Sequence, residues 1–135
     1  HPMYMLCEIF DAEPVKVQSS FTEMTGRGVE DNAVSMLTFA DGSIGVSETS
    51  FISKGYPLTL EIGGTDGTVM FHDGEVHISC AETDNKWPLV TDLPARKLSP
   101  LEQWALATKP EDIPEGFGIE AACRLTRVMV MAYAK

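Results

Sequence analysis

The sequence predicts an α+β fold in which a mostly antiparallel, open-faced β-sheet has helices packed on one face. Segments in the middle of the chain alternate apolar and polar residues, which is the periodicity of a strand with one buried face. Hairpin-type turns separate several of these segments. Apolar residues at helical spacing occur at the two ends of the chain. A run of strands flanked by helices is typical of the α+β class.

The first element is a predicted helix. Four apolar residues fall on one helical stripe: Met3, Leu6, Cys7 and Phe10. Pro2 precedes them in the first turn, where a proline is tolerated because its missing N–H has no helical partner. Residues 11–14, "DAEP", end the helix.

Three alternating segments follow, and each predicts a strand: "VKVQSSFTEM" (15–24), "NAVSMLTFA" (32–40) and "IGVSETSFI" (44–52). Asp41–Ser43, "DGS", is a strong hairpin signal between the second and third segments. Gly45 indicates either a bulge or a close approach of another part of the chain.

The glycine-rich segment "EIGGTDGTVMF" (61–71) raises the question of a nucleotide site. A phosphate cradle requires a helix after its glycines, so that the helix N-terminus faces the anion. Here "TVMFHDGEVHIS" follows, and its β-branched and aromatic residues predict strands separated by a turn at Asp73–Gly74. The spacing also departs from GxGxxG. We therefore predict a strand-to-strand turn with positive φ at Asp66 and Gly67, and no cofactor-binding residue.

Two helices are predicted at the C-terminal end. Ser99 at the N-cap, Pro100 at the first position and Glu102 at the third form a capping box. The last segment, "IEAACRLTRVMVMAYAK" (119–135), has an apolar stripe: Ala121, Leu125, Val128 and Ala132. On its wetter face, Arg124 and Arg127 have three possible roles. The three roles are pairing with acidic neighbours, contact with another domain, and exposure to solvent.

Composition and charge exclude several functions. The net charge is −10, from 20 acidic and 10 basic residues, so the chain lacks the clustered cations that nucleic acids and anionic membranes require. No run approaches the length of a membrane span, and no signal peptide is recognisable. The three cysteines have neither zinc-site spacing nor an even number. Reduced thiols favour an intracellular, cytoplasmic location.

The strands carry more apolar residues than one helix layer needs to cover. An uncovered apolar sheet face usually marks a protein–protein contact. We therefore expect a homo-oligomer formed through the open sheet face.

The chain begins with His1 rather than Met, and an apolar helical stripe starts at once. We expect a piece of a longer protein, in which residues 1–135 form a single substrate-binding and oligomerisation domain.

Several motifs, in order, resemble one known family. They are "HPMYML", "EPVKVQS", "EDNAVSMLTFADGSIGVSETS", "LTLEIGGTDGTV" and "EAACRLTRVMVMAYA". Together they resemble the C-terminal domain of the glucose–fructose oxidoreductase/inositol dehydrogenase (Gfo/Idh/MocA) family, whose fold is like the C-terminal domain of dihydrodipicolinate reductase. The resemblance implies a parent enzyme that binds NAD or NADP in an upstream Rossmann domain. It also implies oxidation or reduction of a sugar, an inositol or a related hydroxyl or carbonyl compound. The open sheet would then shape the substrate site and the subunit interface.

The resemblance gives His1 a catalytic role. His1 lies where the histidine of the family's Asp-x-x-x-His motif would be, and imidazole exchanges protons near neutral pH. The motif's aspartate and the family's active-site lysine would precede residue 1. We therefore expect this chain alone to be inactive and to bind no cofactor. In this chain alone we favour a frayed end or a tag remnant for His1, and in the parent protein a functional residue. The alternative function for the whole chain is a non-catalytic β-sheet module for dimerisation or partner binding.

Other candidate residues have structural explanations that we prefer. His72 and His77 could face each other across the Asp73–Gly74 turn and hold a metal ion, but solvated hairpin residues are the favoured interpretation. Cys7 and Cys123 both lie on apolar stripes and are predicted core thiols. Trp87 and Trp104 could stack on a sugar, although helical context favours packing for Trp104.

Overall fold

A computed structural model of the chain describes residues 1–55, 57–113 and 117–134. The chain forms two compact units, one of His1–Ser53 with Leu98–Lys135 and the other of Lys54–Lys97. The elements of the larger unit are α1 (Pro2–Phe10), β1 (Lys16–Thr22), β2 (Asn32–Thr38), β3 (Ile44–Ser50), α2 (Pro100–Leu106) and α3 (Ile119–Tyr133). Those of the smaller unit are β4 (Leu60–Gly63), β5 (Gly67–His72) and β6 (Glu75–Cys80). Single 3-10 turns span Ala81–Thr83 and Pro110–Asp112.

The α+β class is confirmed, and the described strands pair antiparallel. They form two three-stranded sheets, with the orders β1-β2-β3 and β4-β5-β6. The sequence predicts strands and hairpins, but the division between two sheets depends on contacts that local patterns do not encode.

The larger sheet is covered on one face by α1 and α3. Its register places Val17, Leu37 and Gly45 side by side, so these residues share a face. Leu37 is 0% exposed and belongs to the core cluster. The cluster consists of Cys7, Leu37, Phe39 and Val128. One face of the sheet therefore forms one side of the hydrophobic core.

Gly45 allows α1 to lie close to β3. A Cβ atom at this position would lie 3.0 Å from both terminal carbons of Leu6, which is tighter than ordinary packing. The β2–β3 register runs without interruption, so the close-approach interpretation of Gly45 is confirmed and a bulge is not. Helix α1 then ends at Asp11, which adopts the left-handed conformation that closes many helices.

Asp31 organises the connection between β1 and β2. Its side chain accepts hydrogen bonds from the backbone N–H groups of Met24 (3.1 and 3.2 Å) and Thr25 (3.0 Å), and from the amide of Asn32 (2.9 Å). The residue is 5% exposed. Burial opposes ionisation, but the hydrogen bonds from Met24 and Thr25 prevail and lower the pKa of the carboxyl group. Asp31 is thus a buried carboxylate that holds a loop.

The hairpin between β2 and β3 is confirmed. Gly42 has φ 89°, and the Asp41 carboxylate accepts hydrogen bonds from the N–H and hydroxyl groups of Ser43, both at 2.9 Å. A left-handed glycine beside a self-capping aspartate is the local chemistry that favours a tight turn.

In the smaller unit, the strand-to-strand turn after β4 is confirmed, but its predicted conformation is wrong. Neither Asp66 nor Gly67 has positive φ, whereas Asp73 (50°) and Gly74 (84°) do. Gly67 is constrained by space instead, because a Cβ atom there would lie 2.5 Å from the carbonyl oxygen of Ser79. The glycine is needed for close strand pairing with β6.

A short edge segment extends the smaller sheet beyond β6. Leu89 forms an isolated antiparallel bridge with His77, and the Val90 N–H donates to the Val76 carbonyl at 2.8 Å. The Trp87 carbonyl accepts a hydrogen bond from Nδ1 of His77 at 3.1 Å.

The capping box of α2 is confirmed. The Ser99 hydroxyl accepts from the Glu102 N–H at 3.3 Å, and the Glu102 carboxylate accepts from the Ser99 N–H at 2.8 Å. The packing prediction for Trp104 is wrong, since this residue is 72% exposed. In this helix of seven residues the capping signal is local, whereas the face that packs against the rest of the protein depends on distant residues.

In α3 the predicted stripe is largely confirmed, with Ala121, Val128 and Ala132 buried. The prediction of a core thiol is correct for Cys7 and wrong for Cys123, which is exposed. Two residues of helix separate Cys123 from Ala121 by about 200°, which turns the thiol away from the sheet. No helix in the described part of the chain is long and apolar enough to cross a membrane.

We predict that Leu37→Ala lowers the free energy of unfolding by about 3 kcal/mol, because it leaves a cavity in the centre of the core. Val34→Ala on the same strand is the matched control. Its side chain is on the uncovered face, so its cost should stay below about 1 kcal/mol. Urea unfolding of both variants measures the difference. Equal costs would contradict the assignment of the two faces.

We predict that Asp31→Asn lowers the Tm at pH 7 by about 5 °C. The folded pKa of Asp31 lies below its unfolded value of about 3.9, so the ionised group contributes stability that is fully present above that pH. This contribution is lost as the pH falls through the folded pKa. The gap between wild type and variant should therefore close between about pH 4 and pH 2, and a gap unchanged at pH 2 would exclude the carboxylate as its cause.

Candidate functional site

The uncovered face of the larger sheet carries an exposed apolar surface. We call it the open-face patch, and its residues are Val34, Met36, Ile44 and Val46. Along β2 and β3, these four residues alternate with the residues that lie under the helices. Met36 lies directly opposite Val46 across the β2–β3 ladder. Val46 is 62% exposed. Strand alternation therefore gives the sheet two apolar faces, of which the helices cover one.

Polar residues border the open-face patch. Alternation places four of them on the same face: Lys16, Gln18, Ser20 and Glu48. At one end of the sheet, the Ser50 hydroxyl donates to Oδ1 of Asn32 at 2.6 Å. Asn32 in turn donates to Asp31, so this end is fixed by the same network that holds the β1–β2 loop. An apolar centre with a polar border is the composition of a protein–protein interface.

The four side chains of the patch are apolar, so they can contact a partner or a ligand but cannot themselves transfer a proton. The sequence could not decide which apolar residues lie there. Phe39 is in the core, and the ring of Phe21 stacks on Tyr133 with centroids 4.7 Å apart. Phe39 and Phe21 therefore lie on the covered side of the sheet.

His1 is at the N-cap of α1. It is exposed, its side chain makes no capping hydrogen bond, and its carbonyl accepts the Met5 N–H at 3.0 Å. The imidazole thus projects from the start of a helix that is itself packed on the sheet. Its catalytic role remains a prediction.

Ion pairs join α1 and the segment after it to α3, and we call this contact the α1–α3 seam. Its residues are Glu8, Asp11, Glu13, Arg124 and Arg127. Arg124 donates to Glu8 and lies 3.9 Å from Asp11. Arg127 donates from Nε to both oxygens of Glu13 at 3.0 and 3.1 Å, and these hydrogen bonds lower the pKa of the Glu13 carboxyl group. Of the three roles open to the two arginines, pairing with acidic neighbours is observed.

The two histidines of the smaller sheet do not oppose each other. His72 pairs with Glu75, and His77 pairs with Met70. Their ring nitrogens face nearby carboxylates instead, His72 that of Asp73 at 3.2 Å and His77 that of Glu75 at 3.3 Å. Within residues 1–55, 57–113 and 117–134, no cluster of three or more His, Cys, Asp or Glu side chains could hold a metal ion.

A shallow apolar depression lies along α3, and it was not predicted from the sequence. It is lined by Thr126, Met129, Val130, Tyr133 and Ala134. These residues recur at three- and four-residue spacing, so a second apolar stripe was visible in the sequence beside the buried one.

The described residues do not form a dinucleotide cradle. The glycines between β4 and β5 join two antiparallel neighbours, and no helix N-terminus follows them. A phosphate site of the strand–loop–helix kind therefore cannot be built from this segment.

The fold and the open-face patch define a class: an α+β domain with one covered and one open sheet face. The sequence comparison goes further, because the family described as the GFO/IDH/MocA C-terminal domain matches residues 1–70, just over half of the chain. The chain belongs to this family. No curated protein matches it.

Solved structures with the same fold include the UDP-N-acetylglucosamine 3-dehydrogenase GnnA from Acidithiobacillus ferrooxidans. One of its crystal forms has a TM-score of 0.72 and 18% identity, covering 96% of this chain and 44% of that protein. An oxidoreductase from Agrobacterium radiobacter, in complex with NAD+, L-tartaric acid and magnesium, has a TM-score of 0.54 and 14% identity over 96% of this chain and 37% of its own.

A levoglucosan dehydrogenase in complex with NADH and levoglucosan matches 64% of this chain and 28% of its own, with a TM-score of 0.56 and 20% identity. At these identities the similarity establishes the fold. The chain spans less than half the length of each of these three proteins.

Proposed function

We propose that the chain is the C-terminal domain of a nicotinamide-dependent oxidoreductase that acts on a sugar, an inositol or a related hydroxyl or carbonyl compound. The observation that carries the proposal is the family match over residues 1–70. The names of the structural neighbours support it, since they include a nucleotide-sugar dehydrogenase and a levoglucosan dehydrogenase bound to NADH.

In this proposal the domain shapes the substrate site and forms the subunit interface, and it is inactive alone. The open-face patch supports the interface role, because a second copy would bury its apolar side chains. His1 would exchange a proton with the reacting hydroxyl or carbonyl group of the substrate. NAD or NADP would bind to an upstream domain, outside the residues present here. Three free cysteines, Cys7, Cys80 and Cys123, support a reducing, cytoplasmic location.

The second candidate function is a non-catalytic β-sheet module that dimerises or binds a partner. The open-face patch favours it equally, because the patch is apolar and has no titratable centre. The coding sequence upstream of residue 1 discriminates between the two. A strand–GxGxxG–helix unit there supports the oxidoreductase, and its absence supports the module.

We predict that this chain does not bind NADH or NADPH at concentrations up to about 1 mM, because its glycine-rich segment is a strand turn. Titration with quenching of Trp87 and Trp104 fluorescence measures binding, and a longer protein that includes an upstream strand–GxGxxG–helix unit is the positive control. Binding to the isolated chain at micromolar concentrations would contradict the assignment of that segment.

We predict that the chain is a dimer or larger oligomer and that Val46→Asp makes it monomeric, because the new carboxylate would have to be buried in the interface. Val130→Asp on the exposed side of α3 is the matched control and should leave the oligomer intact. Sedimentation velocity at two concentrations measures the outcome. A wild-type chain that is monomeric at both, or an oligomer that survives Val46→Asp, would contradict the open-face interface.

A further inference from the structure

We propose that Phe51 is a substrate-binding residue of the longer oxidoreductase, and that its ring stacks on the C–H face of the sugar or inositol ring. This inference rests on the proposed function and deepens it, because it adds a contact to the part of the substrate that does not react. Neither the sequence-based predictions nor the comparisons give Phe51 a role. Three observations carry it: the exposure of the ring, the hydrogen bonds that hold its backbone, and its place at the same end of the sheet as His1.

The Phe51 ring lies in solvent. The residue is 90% exposed, and the next most exposed large apolar residue in the described part of the chain is Ile119, at 77%. A single exposed apolar side chain is common on protein surfaces, so exposure alone gives no function. What distinguishes Phe51 is that its exposed ring is attached to a backbone fixed by hydrogen bonds.

These hydrogen bonds hold the backbone on both sides of Phe51. The Phe51 N–H donates to the Asp31 carbonyl at 2.9 Å. The Ser50 hydroxyl accepts from the N–H groups of Ile52 at 3.3 Å and Ser53 at 3.1 Å. An aromatic side chain has few torsions, so a ring on a fixed backbone loses little conformational freedom when it binds a ligand. Phe51 is therefore preorganised for contact.

The strand register places the Phe51 side chain on the helix-covered face of the larger sheet. Asn32 is opposite Ser50 in the β2–β3 ladder, so Asp31 and Phe51 are the next pair, and the hydrogen bond between them continues the ladder. Strand alternation then puts Phe51 on the same face as Gly45. The open-face patch is on the opposite face, so Phe51 does not belong to the proposed subunit interface.

Followed from its C-terminus to its N-terminus, helix α1 runs along the strands towards the end of the sheet at which β3 ends. The ring centroids of Phe10 and Phe39 are 4.3 Å apart. Leu6, four residues before Phe10 and about 6 Å away along the helix, packs on Gly45. Gly45 is opposite Leu37, which precedes Phe39 by two residues, or about 7 Å of extended chain. The two displacements agree, so the helix axis is close to parallel to the strands.

His1 and Phe51 consequently lie at the same end of the larger sheet. His1 is five residues before Leu6, or about 8 Å along the helix. Phe51 is six residues after Gly45, or about 20 Å along the strand. The two backbones are thus offset by roughly 12 Å in the strand direction, on the side of the sheet that carries the helices. Since each side chain extends roughly 5 Å from its backbone, a molecule of one ring fits between them.

A phenyl ring and an imidazole suit different parts of such a substrate. The C–H groups of a sugar or inositol form apolar faces, and an aromatic ring buries a large apolar area against them. Phenylalanine has no hydrogen-bonding side-chain group, so Phe51 contributes contact while His1 performs the proposed proton transfer. An aromatic wall with a few polar groups is the usual composition of a small-molecule site.

The first test uses the longer oxidoreductase and whichever of D-glucose, D-galactose, D-xylose and myo-inositol it oxidises fastest. Phe51→Ala should raise the KM for that compound about 10-fold, with the KM for the dinucleotide within about twofold of wild type. Phe51→Trp keeps an aromatic ring, so its KM for the compound should stay within about threefold of wild type.

Phe117→Ala is the matched control for this test. Phe117 is also an exposed phenylalanine, at 43%, and it precedes α3. Its replacement should change neither KM. Equal KM values in Phe51→Ala and Phe117→Ala would overturn the proposal.

The second test measures binding of the same four compounds without turnover. In saturation-transfer difference NMR, their C–H protons should receive saturation from the longer protein, and Phe51→Ala should reduce the transfer at least about threefold. Phe117→Ala should leave it unchanged. Equal transfer from wild type and Phe51→Ala, or no transfer to any of the four compounds, would overturn the aromatic contact.

The third test uses this chain and separates a ligand contact from a subunit contact. Sedimentation velocity should give the same oligomer for Phe51→Ala as for wild type, because Phe51 is on the face opposite the open-face patch. Dissociation of Phe51→Ala into monomers would assign the ring to the subunit interface and overturn the proposal.

These tests distinguish a failure of this inference from a failure of the proposed function. If the longer protein binds one of the compounds through Phe51 but oxidises none, the proposed function is wrong and the aromatic contact stands. If it oxidises one of them and Phe51→Ala has wild-type KM values, the proposed function survives and Phe51 is not a substrate-binding residue.

Discussion

The burial of Leu37 beneath two helices is the interaction on which the larger unit depends. Its neighbours in the core, Cys7 and Val128, come from the first and last helices of the chain, so one leucine of the middle strand joins both ends of the sequence. Two helices cover one face of a three-stranded sheet and no more. The apolar residues on the other face therefore remain exposed, and the open-face patch is a consequence of the same strand alternation that builds the core.

The two helices are placed by different contacts. Helix α1 lies close to β3 because Gly45 has no side chain, and α3 packs on β1 with Tyr133 stacked on Phe21. The ion pair of Glu8 and Arg124 then connects the helices to each other. Apolar packing is thus combined with a hydrogen-bonded ion pair, whose geometry is more directional than that of an apolar contact.

Much of the fold could be predicted because its signals are local. The cap at Ser99 and the turn at Gly42 are written in a few adjacent residues, and both are found in the structure. Features that depend on distant contacts could not be read in this way. The division into two sheets, the exposure of Trp104 and the tight space at Gly67 each depend on what lies beside the residue in three dimensions. An uncovered apolar sheet face was predicted from the sequence, but the residues that form it could be assigned only from the strand register.

A row of hydroxyl groups crosses the covered face between its apolar rows. The register aligns Ser19, Ser35 and Ser47, and the first two share a hydrogen bond of 2.8 Å. On one side of this row is the cluster around Leu37, and on the other is the Phe21 ring against α3. The Phe21–Tyr133 contact is thus separated along the sheet from the Leu37 cluster by a polar row. An apolar residue in place of Ser35 would remove the hydrogen bond that joins β1 to β2 through their side chains, and would leave the Ser19 hydroxyl to find another acceptor or donor in a part-buried place.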